Sequence, residues 1–246
     1  DTSNTSQGYV IVKYNGTNEK VKLQITCPDQ SCYTYLISDR GAYDTFPLTA
    51  GNGSYALQVL ENVAGDTYTV SLAQSINVNI EDEFLPFLYP NQYVNFHTDS
   101  KAVSKGSDLA KDTYSDLDVV QNIYNYVIKN ISYDTEKAQN VSYGYVPDID
   151  DTLSSKKGIC FDYAALMASM LRSQNIPTKL EVGYSGDAYH AWISTYIDDK
   201  GWVDDIIQFN GDTWQIMDPT LAATNDSAAV KKYIGDGSHY VVKYTY

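Results

Sequence analysis

The sequence predicts an α+β protein in two parts: a small all-β, sandwich-like domain over residues 1–85, then a domain over 86–246 in which a helix packs on an antiparallel sheet. Three observations predict it. Apolar and polar residues alternate through the first third of the chain, the period lengthens to that of a helix after Ser115, and strand-like runs return beyond Pro177.

In the first part, YVIVKY (Tyr9 to Tyr14) runs into Asn15-Gly16, a dipeptide that tolerates the positive φ of a tight hairpin turn. Val21, Leu23 and Ile25 then alternate with Lys20, Lys22 and Gln24, which gives one buried and one wet face. The pattern returns in Tyr55, Leu57 and Val59, in Tyr68, Val70 and Leu72, and in Ile76, Val78 and Ile80. Short strands separated by Gly- and Asn-containing turns suggest a sandwich. No set of residues there has a catalytic composition, so spacing, docking or binding is the expected role.

Residues 81–100 carry Pro86 and Pro90, which disfavour a continuous helix and mark a seam. Beyond it Leu117, Val120, Tyr124, Val127, Ile128 and Ile131 share one helical face, and Ser115 with Asp118 forms a capping box. Asn130 to Leu153 reads as irregular and polar. Its acidic run Asp148, Asp150 and Asp151 lacks the glycine and ligand spacing of a calcium loop and reads as solvated. Cys160 to Gln174 (CFDYAALMASMLRSQ) follows Gly158, is rich in Ala, Leu and Met, and ends before Pro177, as a buried helix would. Strands are expected at Thr178 to Tyr184, Tyr189 to Ile197, Gly201 to Phe209 and Thr213 to Asp218.

Composition excludes some functions. A net charge of −14 is unfit for nucleic acid, whose phosphates require clustered Lys and Arg, and favours basic or neutral substrates. No apolar run approaches the roughly 18 residues of a membrane span. The polar start DTSNTSQ reads as a tether, of the kind left when a signal or lipid anchor is removed and equally of the kind found where a longer chain is cut. Twenty-three tyrosines against six phenylalanines read as half-buried sheet residues with wet hydroxyls. Cys27 and Cys32, close together in CPDQSC, suit a local disulfide in an oxidising compartment. Cys160 is then an odd thiol, and reactivity is a reason for one.

Cys160 opens its expected helix, where unsatisfied N–H groups and the helix dipole favour a thiolate. An imidazole could complete that activation, and a carboxylate behind it would set the ring's tautomer. His190 lies in HAW on a strand and Asp218 in DPT at a strand end, with Asp204 in GWVDD a rival carboxylate. Taken singly, Cys160 reads as core, His190 as an ordinary strand residue and Asp218 as the cap of an Asp-Pro turn. A zinc site from these three lacks any CxxC pair, so neither a metal nor another cofactor is expected. His97 and His239 have no such context and read as structural.

Together the segments GICFDYAALMASMLRSQNIPTKLEVGY, HAWISTYI and WQIMDPT resemble, in order and interval, the three signature blocks of the transglutaminase-like superfamily. ISYDTEK (Ile131 to Lys137) is similar to the family's lead-in, and the resemblance covers roughly residues 100 to 220. It implies a papain-like α+β fold with Cys160 as nucleophile, His190 as general base and acid, and Asp218 orienting His190. The implied oxyanion donors are the Cys160 backbone N–H and a side chain near Tyr133. The implied substrate is a protein or peptide, cell-wall peptide among the candidates, met by a secreted or cell-surface enzyme. Water as acceptor makes a peptidase or amidase, and an amine makes a cross-linking transglutaminase; hydrolysis is the expected outcome. A non-catalytic surface binding or scaffold module with the same fold is the alternative from another class.

Overall fold

A computed structural model describes residues 1–37, 41–198, 200–204, 207–209, 214–216 and 240–246. They fall into two compact units, Asp1–Pro86 and Phe87–Tyr246.

The first unit strings together β1 (Tyr9–Val12), β2 (Val21–Thr26), β3 (Cys32–Ile37), β4 (Asp44–Pro47), β5 (Gly53–Ala64) and β6 (Thr67–Val78). Four of these form an antiparallel sheet in the order β3-β2-β5-β6, and β1 pairs with β4 in a separate ribbon. The alternation at Val21, Leu23 and Ile25 is realised: all three are buried while Lys22 and Gln24 are not. Phe46 of the ribbon meets Tyr35 of the sheet edge-on, with ring centroids 4.8 Å apart, the arrangement that the aromatic quadrupole favours.

Two expectations are corrected here. The runs around Val70 and Ile76 are one continuous strand, and burial fades along it: Ile76 and Val78 are buried, but Val70 and Leu72 are 51% and 52% exposed. Cys27 and Cys32 are free thiols rather than a disulfide. The β2–β3 register pairs Cys32 with Thr26, so the pleat sends Cys27 to the buried face and leaves Cys32 on the exposed one. Burial holds the Cys27 thiol above its usual pKa.

The second unit contains α1 (Lys101–Ala110), α2 (Asp116–Asn130), β7 (Ser132–Tyr133), α3 (Thr135–Asn140), α4 (Ile149–Ser155), β8 (Lys157–Gly158) and α5 (Cys160–Arg172). It continues through β9 (Thr178–Ser185), β10 (Ala188–Ile197), β11 (Gly201–Asp204), β12 (Ile207–Phe209), β13 (Trp214–Ile216) and β14 (Tyr240–Thr245). The main sheet is antiparallel in the order β11-β10-β9-β14; β12 pairs with β13, and β7 runs parallel to β8.

Every residue of α5 from Asp162 to Arg172 is buried, as a helix rich in small and apolar residues must be when it is packed on all sides. Helices α1, α2 and α4 surround it, and β9 and β10 lie against it. The guanidinium of Arg172 ends the helix by donating to the main-chain oxygens of Thr178, Tyr89 and Tyr246 at 2.8, 2.8 and 2.7 Å. Burial lowers its pKa to about 9.

The Ser115 cap of α2 stands as read, its hydroxyl accepting from the Asp118 amide at 3.2 Å. The segment expected to be irregular instead holds α3 and α4. Asp148 caps α4 by accepting from the amides of Asp150 and Asp151, and the Asp150 carboxylate accepts from the amides of Lys101 and Ala102, both at 2.9 Å. The acidic run thus caps two helix starts, where the dipole favours negative charge.

Candidate active site

The approach to α5 is shaped before Cys160 is reached. Lys156 ends α4 in the left-handed region at φ 58°, and β8 then lies beside β7 with Tyr133 opposite Gly158. The pairing is held by hydrogen bonds from the Ser132 amide to the Lys156 carbonyl and from the Asp134 amide to the Gly158 carbonyl, each 2.9 Å. A Cβ on Gly158 would stand 2.7 Å from that of Asp162, closer than side chains tolerate, so glycine is required. Tyr133, expected from the sequence near the oxyanion, is therefore fixed by its backbone two residues from Cys160 along the paired strand.

Cys160 is the first residue of α5 and is half-buried. The N-cap is Ile159, a residue with no side-chain acceptor, where Ser, Thr, Asp or Asn usually receives a first-turn amide. No described residue accepts from the amides of Cys160, Phe161 or Asp162, so the positive end of the helix opens toward the sulfur.

Only the reverse half of a capping box is present: Asp162 accepts from the Ile159 amide at 2.8 Å. Asp162 is 0% exposed. Besides Ile159 it takes the ammonium of Lys137 at 2.7 Å and the hydroxyl of Tyr145 at 2.5 Å, and Lys137 also donates to Tyr145 at 2.6 Å. The Lys137 ammonium lies 4.5 Å from the Tyr145 ring centre. Burial, and then the neighbouring Asp162, push the Tyr145 hydroxyl well above its ordinary pKa. The network floors a groove of about 860 Å³ lined by Asp134, Lys137, Asn140, Tyr145, Asp151 and Lys157 among others.

His190 lies on β10, 1% exposed, opposite Gly183 of β9. β10 packs against α5, and burial, with Tyr244, Tyr184 and Cys160 as further neighbours, raises the pKa of the Tyr189 hydroxyl beside His190 in the chain. The His190 ring stacks with Trp192, centroids 6.0 Å apart. Asp204 pairs with Ser194 across β10 and β11. Asp218 and His239 lie outside the described residues, and His97 caps nothing catalytic: its amide donates to the Ser100 hydroxyl. The structure therefore brings together the elements carrying Cys160, His190 and Tyr133.

Residues 104–204 match the family model described as the transglutaminase-like superfamily, a stretch that contains both Cys160 and His190. This part of the chain is a transglutaminase-like domain. Its relatives include a UPF0252 protein from Methanocaldococcus jannaschii, 30% identical over 118 residues that make up 42% of this chain and 34% of that protein. The kyphoscoliosis peptidase of Mus musculus is 30% identical over 107 residues, 38% of this chain and 16% of the peptidase. Thus the chain spans about a third or less of the length of these relatives. Among solved structures, the periplasmic domain of TgpA from Pseudomonas aeruginosa is similar at 14% identity and a TM-score of 0.46, over 94% of this chain and 93% of that one. Red sea bream transglutaminase is similar at 16% identity and a TM-score of 0.33, over 86% and 48%. The superfamily match supports a cysteine-dependent enzyme as the general class. Among the described residues, no helix is long and apolar enough to cross a membrane.

Asp162, Lys137 and Tyr145 of the transglutaminase-like domain were not singled out from sequence. The available signal was an acid in the first turn of the Cys160 helix, a place where carboxylates are favoured for dipole reasons alone.

Proposed function

We propose that the transglutaminase-like domain is a cysteine-dependent acyl-transfer enzyme in which Cys160 attacks a peptide or carboxamide carbonyl, His190 moves the proton and Asp218 orients His190. The observation that carries the reading is the position of Cys160, first in a helix whose N-cap offers its amides no acceptor. The same amides that favour a thiolate also face the negative charge that develops on a carbonyl oxygen attacked by it.

In the proposed reaction the sulfur bonds to the carbonyl carbon and the π pair moves to oxygen, next to the Cys160 N–H. The pair returns as the C–N bond breaks, and His190 gives its proton to the leaving amine. Water then attacks the thioester, losing a proton to His190, and Cys160 leaves as thiolate. Hydrolysis is the favoured outcome of this proposal; an amine in place of water at that step would give a cross-link. Tyr133 is retained as a secondary oxyanion candidate, through its backbone pairing beside the site. The substrate is a protein or peptide, and residues 1–85 serve as a spacing or docking module. Placement outside the cytoplasm is part of the same proposal, and the free thiols of Cys27 and Cys32 lend it no disulfide support.

The test is the rate at which iodoacetamide labels Cys160 as a function of pH, in the parent and in His190→Ala. The expected result is labelling that persists well below the free-thiol pKa of about 8.5 and is lost in the variant. A Cys160 that resists labelling in both proteins until they unfold would overturn the enzyme reading and leave a binding module.

A further inference from the structure

Glu181 is a buried carboxylate beside the site that the proposed reaction does not use. It stands on β9 directly opposite Trp192 on β10 and is 7% exposed. A carboxylate withdrawn from water to that degree requires donors. Its Oε2 accepts from the indole Nε1 of Trp192 at 2.9 Å and from the hydroxyl of Ser194 at 2.6 Å. Because side chains alternate along a strand, Trp192 and Ser194 share with His190 the sheet face on which Glu181 stands.

The indole held by Glu181 is the ring on which His190 lies, its plane 30° from that of the imidazole. Tyr240 meets Trp192 edge-on at 4.8 Å and stands 6.4 Å from His190. Close passage of β14 fixes Tyr240: a Cβ on Gly183, the residue opposite His190, would be 2.0 Å from the Val241 carbonyl oxygen. Imidazole, indole, phenol and carboxylate are thus set by three adjacent strands.

We infer that Glu181 is a positioning residue for His190, acting through Trp192 to hold the imidazole in place and to favour its protonated form. An anion accepting from the indole N–H drives electron density into the ring, and an electron-rich ring face attracts a cation stacked on it. The negative charge itself adds to this across a poorly screened interior. The proposed reaction needs an imidazolium while Cys160 is a thiolate, so the inference rests on the reading of His190 as base.

Two other titratable residues, Lys179 and Asp204, stand on the same sheet face, each paired with Ser194. On β9, Lys179 lies with its ammonium 3.8 Å from the ring centre of Trp202, and β11 also carries Asp204 opposite Ser194. β14 carries Tyr240 and Lys243, the β9–β10 turn carries Asp187, and α5 presents Cys160. Glu181 is distinguished by burial and by its bond to the ring that stacks on His190.

The experiment compares the pH dependence of Cys160 labelling by iodoacetamide in the full chain and in Glu181→Gln, Trp192→Phe, Ser194→Ala and His190→Ala, with a melting curve for each. Glu181→Gln keeps the shape and an acceptor but removes the charge. It is expected to move the low-pH limb of labelling up by about one unit, so that labelling at pH 5.5 slows about ten-fold. Trp192→Phe, which keeps a stacked ring but no N–H, is expected to do the same, and it carries the test if the Gln variant does not fold. Ser194→Ala leaves the carboxylate charged and is expected to leave the limb in place. A lower melting temperature with an unmoved limb in Glu181→Gln and Trp192→Phe would make Glu181 merely structural and overturn the inference. If His190→Ala also fails to move the limb, the base reading itself falls; if only His190→Ala moves it, that reading stands and this inference fails.

Discussion

Replacing Asp162 with Asn tests whether its buried network sets the start of the nucleophile helix. Asp162 accepts three hydrogen bonds, from the Ile159 amide, the Lys137 ammonium and the Tyr145 hydroxyl, at 2.8, 2.7 and 2.5 Å. Bonds to a charged group are worth roughly 1.5–3 kcal/mol each, and stranding one partner of a buried ion pair costs roughly 3–5 kcal/mol. Asn keeps one carbonyl oxygen for the Ile159 amide, and Lys137, 27% exposed at its side chain, can turn to water. The expected loss is therefore below the full sum, about 2–4 kcal/mol. At about 2–4 °C per kcal/mol for a domain of this size, the melting temperature should fall by about 4–16 °C. Differential scanning calorimetry measures it, and Lys137→Met with the double variant completes a cycle that isolates the pair. The double variant should lose less than the two single losses added together. An Asp162→Asn protein that melts within about 2 °C of the parent would refute the reasoning, because the network would then be held by surrounding packing.

Two further predictions concern tyrosine and thiol chemistry. The ring of Tyr93 lies 5.3 Å from Phe161 and 4.7 Å from Tyr246, and burial, with Tyr143 and Tyr189 nearby, pushes its hydroxyl up to about 12. An acid whose folded pKa exceeds its unfolded value of 10 contributes stability that is complete below pH 10 and lost as pH rises toward 12. Tyr93→Phe keeps the ring contacts and should lose about 1–3 kcal/mol less than the parent over that window, followed by denaturant melts at pH 9 and pH 12. In the native protein without reductant, a thiol reagent should label exposed Cys32 quickly and buried Cys27 only after unfolding. An intact mass two protons lower, with both residues unlabelled, would instead restore the disulfide.

Local rules were legible in the sequence where a single segment contains its own cause. The Ser115–Asp118 cap, the helix opening at Cys160 behind Gly158, and the alternation of Val21, Leu23 and Ile25 all depend on neighbours within a turn or a strand. The acidic run at Asp148 is solvent-exposed as read, at Asp148 and Asp151, but its capping role was missed because it is partly remote: the carboxylate of Asp150 caps α1, nearly 50 residues earlier in the chain. Alternation also overstated the core at Val70 and Leu72, since periodicity says which side chains share a face and not whether anything covers it.

By itself the sequence determined that a thiol stands at the head of a buried helix, that a histidine follows on a strand, and that these segments resemble the transglutaminase-like blocks the family match then recovered. Tertiary structure alone decided that Asp162 meets Lys137 and Tyr145, that Glu181 holds the ring stacked on His190, and that Cys27 and Cys32 point to opposite faces. The physical reason is range. Dihedral preference, capping and hydrophobic period act over a few residues, whereas a buried polar group must find its partners wherever packing brings them, and those partners lie tens of residues away in the chain.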